Sequence, residues 1–568
     1  MNPYILKDTY TDKDKKELEA YPEFLQELLI NKGFATKEDA DIYLNPSYDE
    51  HLHDPFLMKD MDKTVERILS AISNKEKIII YSDYDCDGIP GGVLLHDFFK
   101  KIGYKNFENY IPHRHEEGYG LNISAIEKFG EDGVNVLISV DCGITDVVPV
   151  EKANTYGIDV IITDHHFPNG TLPPAYAILD PKQEDDTYPY DMLCGTGVAF
   201  KLVQALIQKG KQKGEFDLKE GFEKWWLDMV GLATIADMVP LTGENRVLAR
   251  YGLHVLRKSR RPGIQQLCRK MYMKQFGITE DDVGFMIAPR INAASRMDMP
   301  MDAFNLLRTE DEAEAGMLST HLDKINNQRK GLVGAITREV KKRIDENNLP
   351  EVIVMGNPDW KPPLLGIVAN NISELYKRPT FLWGRDGGTY LKGSCRSGGK
   401  ANTMILMSSV PRELFIDFGG HAYSGGFSTP HEKIHELESE LLKAYGDMEE
   451  IEEDQAFIDK KLSLSDVSWG TYRTLEKMMP FGQENPKPLF LFENIKIEDV
   501  KDFGKEKNHL QIDFEKEFGG KVSAIGFFKT IGDFNGLKKD KTINLVATIE
   551  KSTFGRTTQL RLRIVDIV

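Results

Sequence analysis

The sequence has 568 residues, of which 41% are hydrophobic and 28% are charged. This length exceeds what one hydrophobic core usually serves, so about three or four domains are expected, and the composition excludes a disordered or fibrous chain. The net charge of −17 counts against a generally basic surface. A local phosphate contact stays open, because clustered carboxylates can hold divalent cations that reverse the local field.

Neither a membrane segment nor a signal peptide is predicted. No apolar run approaches the roughly 18 residues that a membrane span needs, and the N-terminal segment has no basic stretch followed by an apolar one. The cysteines are scattered without a CxxC pair, which argues against a zinc ribbon or a disulfide framework. We therefore expect a cytoplasmic protein without membrane association.

The first half of the chain predicts an α/β domain. Residues 1–70 form an N-terminal segment of small amphipathic helices. From residue 71 to 255, apolar runs rich in Ile and Val alternate with helical sequence, at 77–82, 134–140 and 157–163. Short apolar runs separated by helices are typical of buried strands in a parallel sheet.

Residues 256–347 predict a helical connector. One long helix is expected over 310–347, because apolar residues recur there at spacings of three, four or seven. Its predicted apolar face consists of Leu318, Leu322, Ile325, Leu332, Ile336 and Val340. A helix of this length is suited to bridge two domains.

Two further domains are predicted after the connector. Residues 348–450 are a smaller α/β lobe with Gly-rich turns, followed by an acidic linker at 446–455. Residues 456–568 alternate apolar and polar residues between turns, which predicts a small antiparallel β-barrel.

Acidic and imidazole side chains follow each of the three predicted strands. In open parallel sheets ligands bind at this edge, and crowded carboxylates need a counter-charge. Mostly oxygen ligands with one or two imidazoles favour Mn²⁺ or Mg²⁺ over structural zinc. On an extended segment the three alternating aspartates of the first group share one face. The groups are Asp83, Asp85 and Asp87, then Asp141, then His165 and His166.

Each group alone has a simpler interpretation. The first could be a polar loop or half of a calcium loop, although the spacing and closing Glu of an EF-hand are missing. A His-His pair is often surface chemistry, and Asp141 could cap a helix. Their conjunction at three successive strand ends favours a metal site.

The same residues resemble the signature of the DHH phosphoesterases. DYDCDG (83–88), DCG (141–143) and TDHH (163–166) match its motifs. The likeness extends, in order, over nearly the whole chain and is closest to the RecJ exonucleases, whose C-terminal OB-fold the predicted barrel resembles. The further matching segments are IPHRHEEGYGL (111–121), LDPK (179–182), LCGTGVAFKL (193–202), GLATIADMVPL (231–241), APRINAASR (288–296), GSCRS (393–397), FGGHAYSGGF (418–427) and PFGQENPKPLF (480–490).

This resemblance implies roles for particular residues. Two ions, Mn²⁺ or Mg²⁺, are expected on a metal-binding set of Asp83, Asp85, Asp87, Asp141, His165 and Asp237. His166 and His421 join these as catalytic-site residues. The expected phosphate and substrate contacts are Arg114, Arg290, Asn292, Arg296, Ser394 and Arg396.

The implied activity is hydrolysis of single-stranded DNA from the 5′ end, with release of 5′-mononucleotides in recombination or repair. A helicase and a single-strand binding protein are the implied partners. Three alternatives stay open: a DHH hydrolase of short RNA or cyclic dinucleotides, a non-catalytic replication scaffold with a DHH fold, and an OB-type binding module with vestigial lobes.

Two other features have two interpretations each. The basic run at 256–261 either contacts DNA without sequence preference or is a solvated face. In the barrel, four phenylalanines either stack on bases, as in many OB-folds, or belong to the core. They are Phe503, Phe514, Phe527 and Phe528.

The sequence departs from the family pattern at five positions, mainly in substrate-holding segments. Lys361 and Pro363 stand where a His and a Gly are usual, and Ser295, Cys395 and Glu484 each replace a Gly. The metal ligands are intact, so we expect catalysis, while the departures bear on processivity, end preference and the choice between DNA and RNA.

Overall fold

The computed structural model describes residues 4–7, 10–385, 387–399, 401–446, 448, 456–504, 506–517, 519–534, 536–552 and 558–568, without the side chains of 12–14. The predicted acidic linker at 446–455 therefore lies almost wholly outside the described residues. Within them, no helix combines the length and apolar character needed to cross a membrane.

The N-terminal segment packs against the C-terminal barrel. Leu25 and Leu28 share one buried core with Phe490 and Phe514, which are barrel residues. The segment's edge strand also pairs in parallel with residues 456–458. The elements of this segment are β1 (Tyr4–Leu6), α1 (Asp12–Glu17), α2 (Glu23–Asn31) and α3 (Lys37–Leu44).

The next region, here called the larger lobe, is built on a five-stranded parallel sheet, which confirms the predicted α/β class. Its elements are α4 (Met61–Asn74), β2 (Ile78–Ser82), α5 (Gly88–Lys101), β3 (Phe107–Tyr110), α6 (Ile123–Glu131), β4 (Val136–Val140), α7 (Val147–Thr155), β5 (Asp159–Thr163), β6 (Ala177–Leu179), α8 (Gly195–Lys213), α9 (Leu227–Ala236) and α10 (Gly243–Leu256). The strand order is β3-β2-β4-β5-β6. β2 and β4 are fully buried, as their continuous Ile and Val runs predict.

Shorter helices lead from this lobe into one long helix. They are α11 (Pro262–Lys270), α12 (Glu280–Asp282), α13 (Ala288–Met297) and α14 (Pro300–Arg308), and the long helix is α15 (Glu312–Arg343). A π-helical turn at Val283–Ile287 precedes α13.

The long helix α15 confirms the predicted bridge. Leu322 packs into the core of the connecting helices, whereas Val340 packs into the core of the smaller lobe. The predicted apolar face was wrong at Leu332, which is 39% exposed, because the adjacent Val333 takes the buried position.

The smaller lobe has a mixed five-stranded sheet in the order β10-β11-β9-β8-β7. Its elements are β7 (Ile353–Gly356), α16 (Pro362–Tyr376), β8 (Thr380–Arg385), β9 (Tyr390–Arg396), α17 (Thr403–Ser408), β10 (Asp417–His421), β11 (Ser424–Pro430) and α18 (Ile434–Gly446). β7 and β8 run parallel, and the remaining pairings are antiparallel.

The C-terminal region is a closed barrel, as predicted. Its elements are β12 (Ala456–Ile458), β13 (Lys460–Lys461), α19 (Trp469–Glu476), β14 (Phe490–Phe503), β15 (His509–Glu515), β16 (Lys521–Phe527), β17 (Thr542–Ser552) and β18 (Gln559–Ile567). The pairing of β14 with β17 closes the sheet. The barrel is not wholly antiparallel, because β16 and β18 pair in parallel.

Candidate metal centre and substrate cleft

The register of the parallel sheet brings the predicted site residues to one edge. β2, β4 and β5 end level with one another. The backbone N–H of Asp83 donates to the carbonyl of Val140 at 3.0 Å, and that of Asp141 donates to Thr163 at 2.9 Å. β2 and β4 flank the point where the strand order reverses, which is where open α/β sheets bind ligands.

The segment after β2 is a tight turn, so the predicted extended alternation of its three aspartates is wrong. Asp85 Oδ1 accepts the backbone N–H of Asp87 at 2.7 Å, which folds the chain back towards α5. At Gly88 a Cβ atom would lie 2.5 Å from the carbonyl oxygen of Asp83, so only glycine fits there. Asn292 from α13 fixes the same turn by accepting the N–H of Cys86 at 2.7 Å.

The turn aims Asp87 at the first turn of α8. Asp87 accepts the backbone N–H groups of Gly195 and Thr196 at 2.6 and 2.8 Å. A helix N-terminus has unpaired N–H groups and a positive dipole end, so it stabilises this buried carboxylate.

His165 is the centre of the cluster. Its Nε2 atom lies 3.2 Å from Asp141 Oδ1 and 3.7 Å from a carboxylate oxygen of each of Asp87 and Asp237. Neither ring nitrogen has a hydrogen-bond partner among the described residues, although the side chain is buried. Lys182 holds the backbone, since its ammonium donates to the carbonyl of His165.

The electrostatics of this cluster call for a cation. Burial, and then repulsion between neighbouring carboxylates, raises the pKa of Asp83, Asp141 and Asp237 well above the usual range. Burial also lowers the pKa of His165 to about 4. Oxygen atoms of Asp83 and Asp141 are buried without a hydrogen-bond partner among the described residues. The donor set therefore fits divalent cations.

Three overlapping groups of side chains have ligand atoms within 4.8 Å of one another. Asp141 and His165 each belong to two groups, so neighbouring ions can share ligands here. The groups are Asp83, Asp85 and Asp141; Asp87, His165 and Asp237; and Asp141, His165 and His166.

Asp164, which the sequence analysis did not single out as a site residue, fixes the second histidine of the signature. Its Oδ1 atom accepts from Nδ1 of His166 at 2.8 Å, and its Oδ2 atom accepts the N–H of Ile144 at 3.0 Å. Burial acts to lower the pKa of His166, but the hydrogen bond and charge of Asp164 outweigh it and raise that pKa to about 9.

A cavity of about 250 Å³ opens beside the cluster. It brings predicted metal ligands together with three of the predicted phosphate and substrate contacts, Arg114, Asn292 and Arg296. The guanidinium of Arg114 lies over the ring of Tyr84 at 4.8 Å. The lining residues are Asp83, Tyr84, Asp85, Arg114, Tyr119, Asp141, His166, Asp237, Asn292, Ser295 and Arg296.

The remaining predicted substrate residues, Arg290, Ser394 and Arg396, do not line this cavity. Arg290 is buried and forms an ion pair with Asp323 at 2.7 Å. This structural ion pair competes with the predicted contact between Arg290 and a phosphate. Ser394 and Arg396 lie on β9 against Gly366. If residue 366 had a Cβ atom, that atom would lie 3.0 Å from the Arg396 guanidinium.

His421 ends β10 with an exposed side chain. Its carbonyl accepts a hydrogen bond from the hydroxyl of Thr403 at 2.8 Å. Its ring lines neither this cavity nor a second cavity on the side of the smaller lobe. Its role therefore stays a prediction.

A second cavity of about 360 Å³ continues from the first into the smaller lobe. Tyr84 and Arg114 line both cavities, so the two form one cleft between the lobes. Lys392 and Phe418 line its far side. Its mixed polar and apolar wall suits both phosphates and bases.

Sequence reasoning missed side chains that support the site. The hydroxyl of Tyr119 donates to the carbonyl of Asp141 at 3.1 Å and lies 3.2 Å from Nδ1 of His166. Asp180 follows β6 at the same sheet edge, and burial raises its pKa to about 7. Both residues occur in segments that matched the family, which was the available signal.

The structure decides part of two alternatives that the sequence left open. Phe514 is fully buried in the barrel core and does not stack on bases, whereas Phe528 is 80% exposed. In the basic run, Arg261 is unavailable to DNA, because it is paired with Asp97 at 2.7 Å and Asp228 at 2.9 Å.

Comparison with known proteins agrees with this geometry. The family model "DHH family, N-terminal domain" matches residues 77–234. The family models of the DHHA1 domain and the RecJ OB domain match residues 349–447 and 458–566. The single-stranded-DNA-specific exonuclease RecJ of Bacillus subtilis is 35% identical over 95% of this chain and 67% of that protein. The Haemophilus influenzae protein of that name is 33% identical over 83% of this chain and 84% of its own.

A solved structure has the same architecture. The crystal structure of RecJ in complex with Mn²⁺ from Thermus thermophilus superimposes with a TM-score of 0.80 and 25% identity, over 98% of this chain and 77% of that one. The parallel sheet with its edge of carboxylates and imidazoles thus defines a metal-dependent phosphoesterase of the DHH class. Within that class, the chain belongs to the RecJ family of single-stranded-DNA-specific exonucleases.

Proposed function

We propose that this protein is a single-stranded-DNA-specific 5′→3′ exonuclease that releases 5′-mononucleotides and acts in recombination or repair. The observation that carries the proposal is the buried cluster around His165, which opens into a cavity that also contains Arg114 and Arg296. The named function of its relatives supports the substrate class.

The metal-binding proposal assigns Mn²⁺ or Mg²⁺ to two neighbouring positions. Asp83 and Asp85 would hold one ion and Asp87, His165 and Asp237 the other. Asp141 would contact both, because its ligand atoms lie within 4.8 Å of members of each group. Bound ions of this kind supply Lewis acidity and charge neutralisation at a scissile phosphate.

The side chains of the cleft position the strand. Arg114 and Arg296 can each hold phosphate oxygens through two N–H groups, which orients the phosphate towards the carboxylate cluster. Asp164 fixes the ring of His166 at the cavity wall. Tyr119 lines the same cavity, and its hydroxyl donates to the carbonyl of Asp141, which fixes the ring there.

The cleft between the lobes supports a single-strand preference. The two cavities together measure a few hundred cubic ångströms, with volumes of about 250 and 360 Å³. A duplex, with a major groove of roughly 12 Å width alone, does not enter such a space. A single strand can pass with its phosphates on the arginines and its bases against the smaller lobe.

We propose the following division of labour along the chain. Residues 71–255 carry the chemistry, 256–347 connect the lobes, 348–450 hold the strand, and 456–568 contact the single strand beyond the cleft. Residues 1–70 brace the barrel. A helicase and a single-strand binding protein would supply the substrate in the cytoplasm, where the five buried free cysteines stay reduced.

A nuclease assay on two oligonucleotides of one sequence, DNA and RNA, each labelled at the 3′ end, tests the proposal. With Mn²⁺, the protein is expected to shorten the DNA stepwise from its 5′ end. The variant Asp85→Ala/His165→Ala should not, whereas Asp132→Ala/His254→Ala, which changes exposed residues of the same types, should behave as wild type.

The remaining outcomes separate the alternatives. Cleavage of short RNA alone would favour a DHH hydrolase of small substrates. Binding of both strands without cleavage, and without stoichiometric Mn²⁺ uptake in calorimetry, would favour a scaffold or a binding module.

A further inference from the structure

A basic segment with exposed aromatic rings lies outside the cleft. Between Arg257 and Thr279 the sequence contains seven Lys or Arg residues and no Asp or Glu, in a chain whose net charge is −17. Arg261 is internally paired, and the other six make no ion pair among the described residues. These six, with Tyr272 and Phe276, are here called the basic–aromatic surface: Arg257, Lys258, Arg260, Arg269, Lys270 and Lys274.

The two ends of this segment are tied together. The side-chain amide of Gln275 donates to the carbonyl of Ser259 at 2.8 Å, and Nε of Arg257 donates to the carbonyl of Ile278 at 2.7 Å. The return stretch around Phe276 is thereby held beside the turn that contains Lys258 and Arg260. The cations and rings are thus carried by one folded segment around α11, whose two ends lie side by side.

The exposed rings have no structural explanation within the fold. Tyr272 is 98% exposed and Phe276 is 74% exposed. Tyr272 also has a φ of +54°, a left-handed conformation that is costly for a large side chain. Strained, exposed aromatic residues persist where a binding function uses them.

This surface is separate from the metal centre. Arg261 contacts Asp228 in the first turn of α9, whereas Asp237 follows the last residue of the same helix. Nine residues of α-helix span about 13 Å. Arg261 also contacts Asp97, near the end of α5 remote from Asp87. A strand held in the cleft must therefore extend well beyond it to reach the surface.

We propose that the basic–aromatic surface is a second binding site for single-stranded nucleic acid, which holds the strand through its phosphates and stacked bases, apart from the cleft. Unpaired cations attract phosphates, and exposed rings between them provide stacking platforms that duplex DNA cannot use. The ring chemistry therefore favours a single strand over a duplex, and the charge favours a polyanion over an apolar partner.

The test is binding in EDTA, where the strand stays intact, so the result does not depend on hydrolysis. The charge variant and a matched control each replace five cations by Gln. The charge variant carries Lys258→Gln, Arg260→Gln, Arg269→Gln, Lys270→Gln and Lys274→Gln. The control carries Lys37→Gln, Lys105→Gln, Lys128→Gln, Lys211→Gln and Lys219→Gln, which are exposed and unpaired among the described residues.

The measured quantity is the affinity for a strand of about 40 nucleotides as a function of salt. The charge variant is expected to bind on the order of tenfold more weakly, with the slope of log K against log salt reduced by about 2 to 3. The control should keep the wild-type slope. Hydrolysis of a strand of about 6 nucleotides with Mn²⁺ should be the same in all three proteins, which shows that the fold is intact.

A second variant removes the rings and keeps the charge. Tyr272→Asn/Phe276→Ser is expected to weaken single-strand binding on the order of tenfold and leave duplex binding unchanged, because stacking on bases is lost. Asn is chosen at position 272 because it tolerates a positive φ. Trp225→Ser, at another exposed ring, is the control.

Three results would overturn the proposal. The first is a charge variant with the affinity and slope of the control, and the second is a charge variant weakened for duplex alone. The third is unchanged DNA affinity together with loss of binding to a polyglutamate peptide, which would assign the surface to an acidic protein partner.

Discussion

The guanidinium of Arg296 donates a hydrogen bond from Nη1 to the carbonyl oxygen of Pro363, at 3.0 Å. Arg296 lines the cavity beside the carboxylate cluster, and Pro363 lies in the first turn of α16 of the smaller lobe. One side chain therefore contacts both walls of the cleft. Pro363 stands where the family pattern has a Gly, yet the contact uses its backbone carbonyl, which any residue provides.

Arg296→Lys is expected to lower kcat/KM on single-stranded DNA by about 10- to 100-fold. This decrease corresponds to the loss of one or two charge-assisted hydrogen bonds to the substrate. Burial, and then the neighbouring charges of Arg114 and Arg329, lowers the pKa of Arg296 to about 10. A lysine there would also lose its charge more readily. Steady-state kinetics check this, with the exposed Arg338→Lys on α15 as a control that should match wild type.

Asp141→Asn is expected to stabilise the metal-free protein while abolishing its stabilisation by Mn²⁺. Burial and four neighbouring carboxylates disfavour the charge on Asp141, so a neutral amide removes repulsion. Asp141 has a φ of +63°, which Asn also adopts. Melting temperatures with EDTA and with Mn²⁺ test this, and an Asn variant that still gains stability from Mn²⁺ would contradict the assignment of Asp141 to the metal centre.

The sequence was sufficient to predict the sheet edge at which most of the candidate metal ligands lie. Runs of Ile and Val fixed β2, β4 and β5, and a parallel register then forces the residues after them to one edge. β3 and β6 escaped prediction for physical reasons. β3 is an edge strand with the polar sequence FENY, and β6 has three residues, too few to show a pattern.

Side-chain pairing was beyond the reach of sequence patterns. Arg290 looked like a phosphate ligand, but its partner Asp323 is 33 residues away on a different helix. The turn after β2 depends on Asn292, more than 200 residues later. Such contacts follow from the packing of distant helices, which local periodicity does not encode.

Asp146→Asn is expected to stabilise the protein, and to do so more strongly at pH 8 than at pH 5. Burial raises the pKa of Asp146 to about 6, so the folded state binds a proton more readily than the unfolded state. Stability from this group is complete below the unfolded pKa near 3.8 and is lost as the pH rises through 6. Asn keeps the acceptor for the N–H of Leu121 and carries no charge.

The difference in unfolding free energy between Asp146→Asn and wild type should therefore grow from pH 5 to pH 8, by on the order of 1–3 kcal/mol. Melting temperatures across this range measure it. Asp132→Asn, at an exposed carboxylate, should show no such trend. A constant difference across the range would show that Asp146 does not titrate there.

Glu484→Gly is expected to raise the stability of the barrel region by about 0.5–1 kcal/mol. Glu484 replaces a Gly of the family pattern and has a φ of +57°, within a turn closed by hydrogen bonds between Gly482 and Asn485. A left-handed conformation costs a non-Gly residue about 1–2 kcal/mol, and the greater freedom of Gly in the unfolded chain offsets part of that gain. The adjacent Gln483→Gly offers the matched comparison, because Gln483 has no positive φ and only the entropic cost applies. Calorimetric melting should thus show opposite shifts for the two variants, and a destabilised Glu484→Gly would mean that its side chain contributes more than its backbone strain costs.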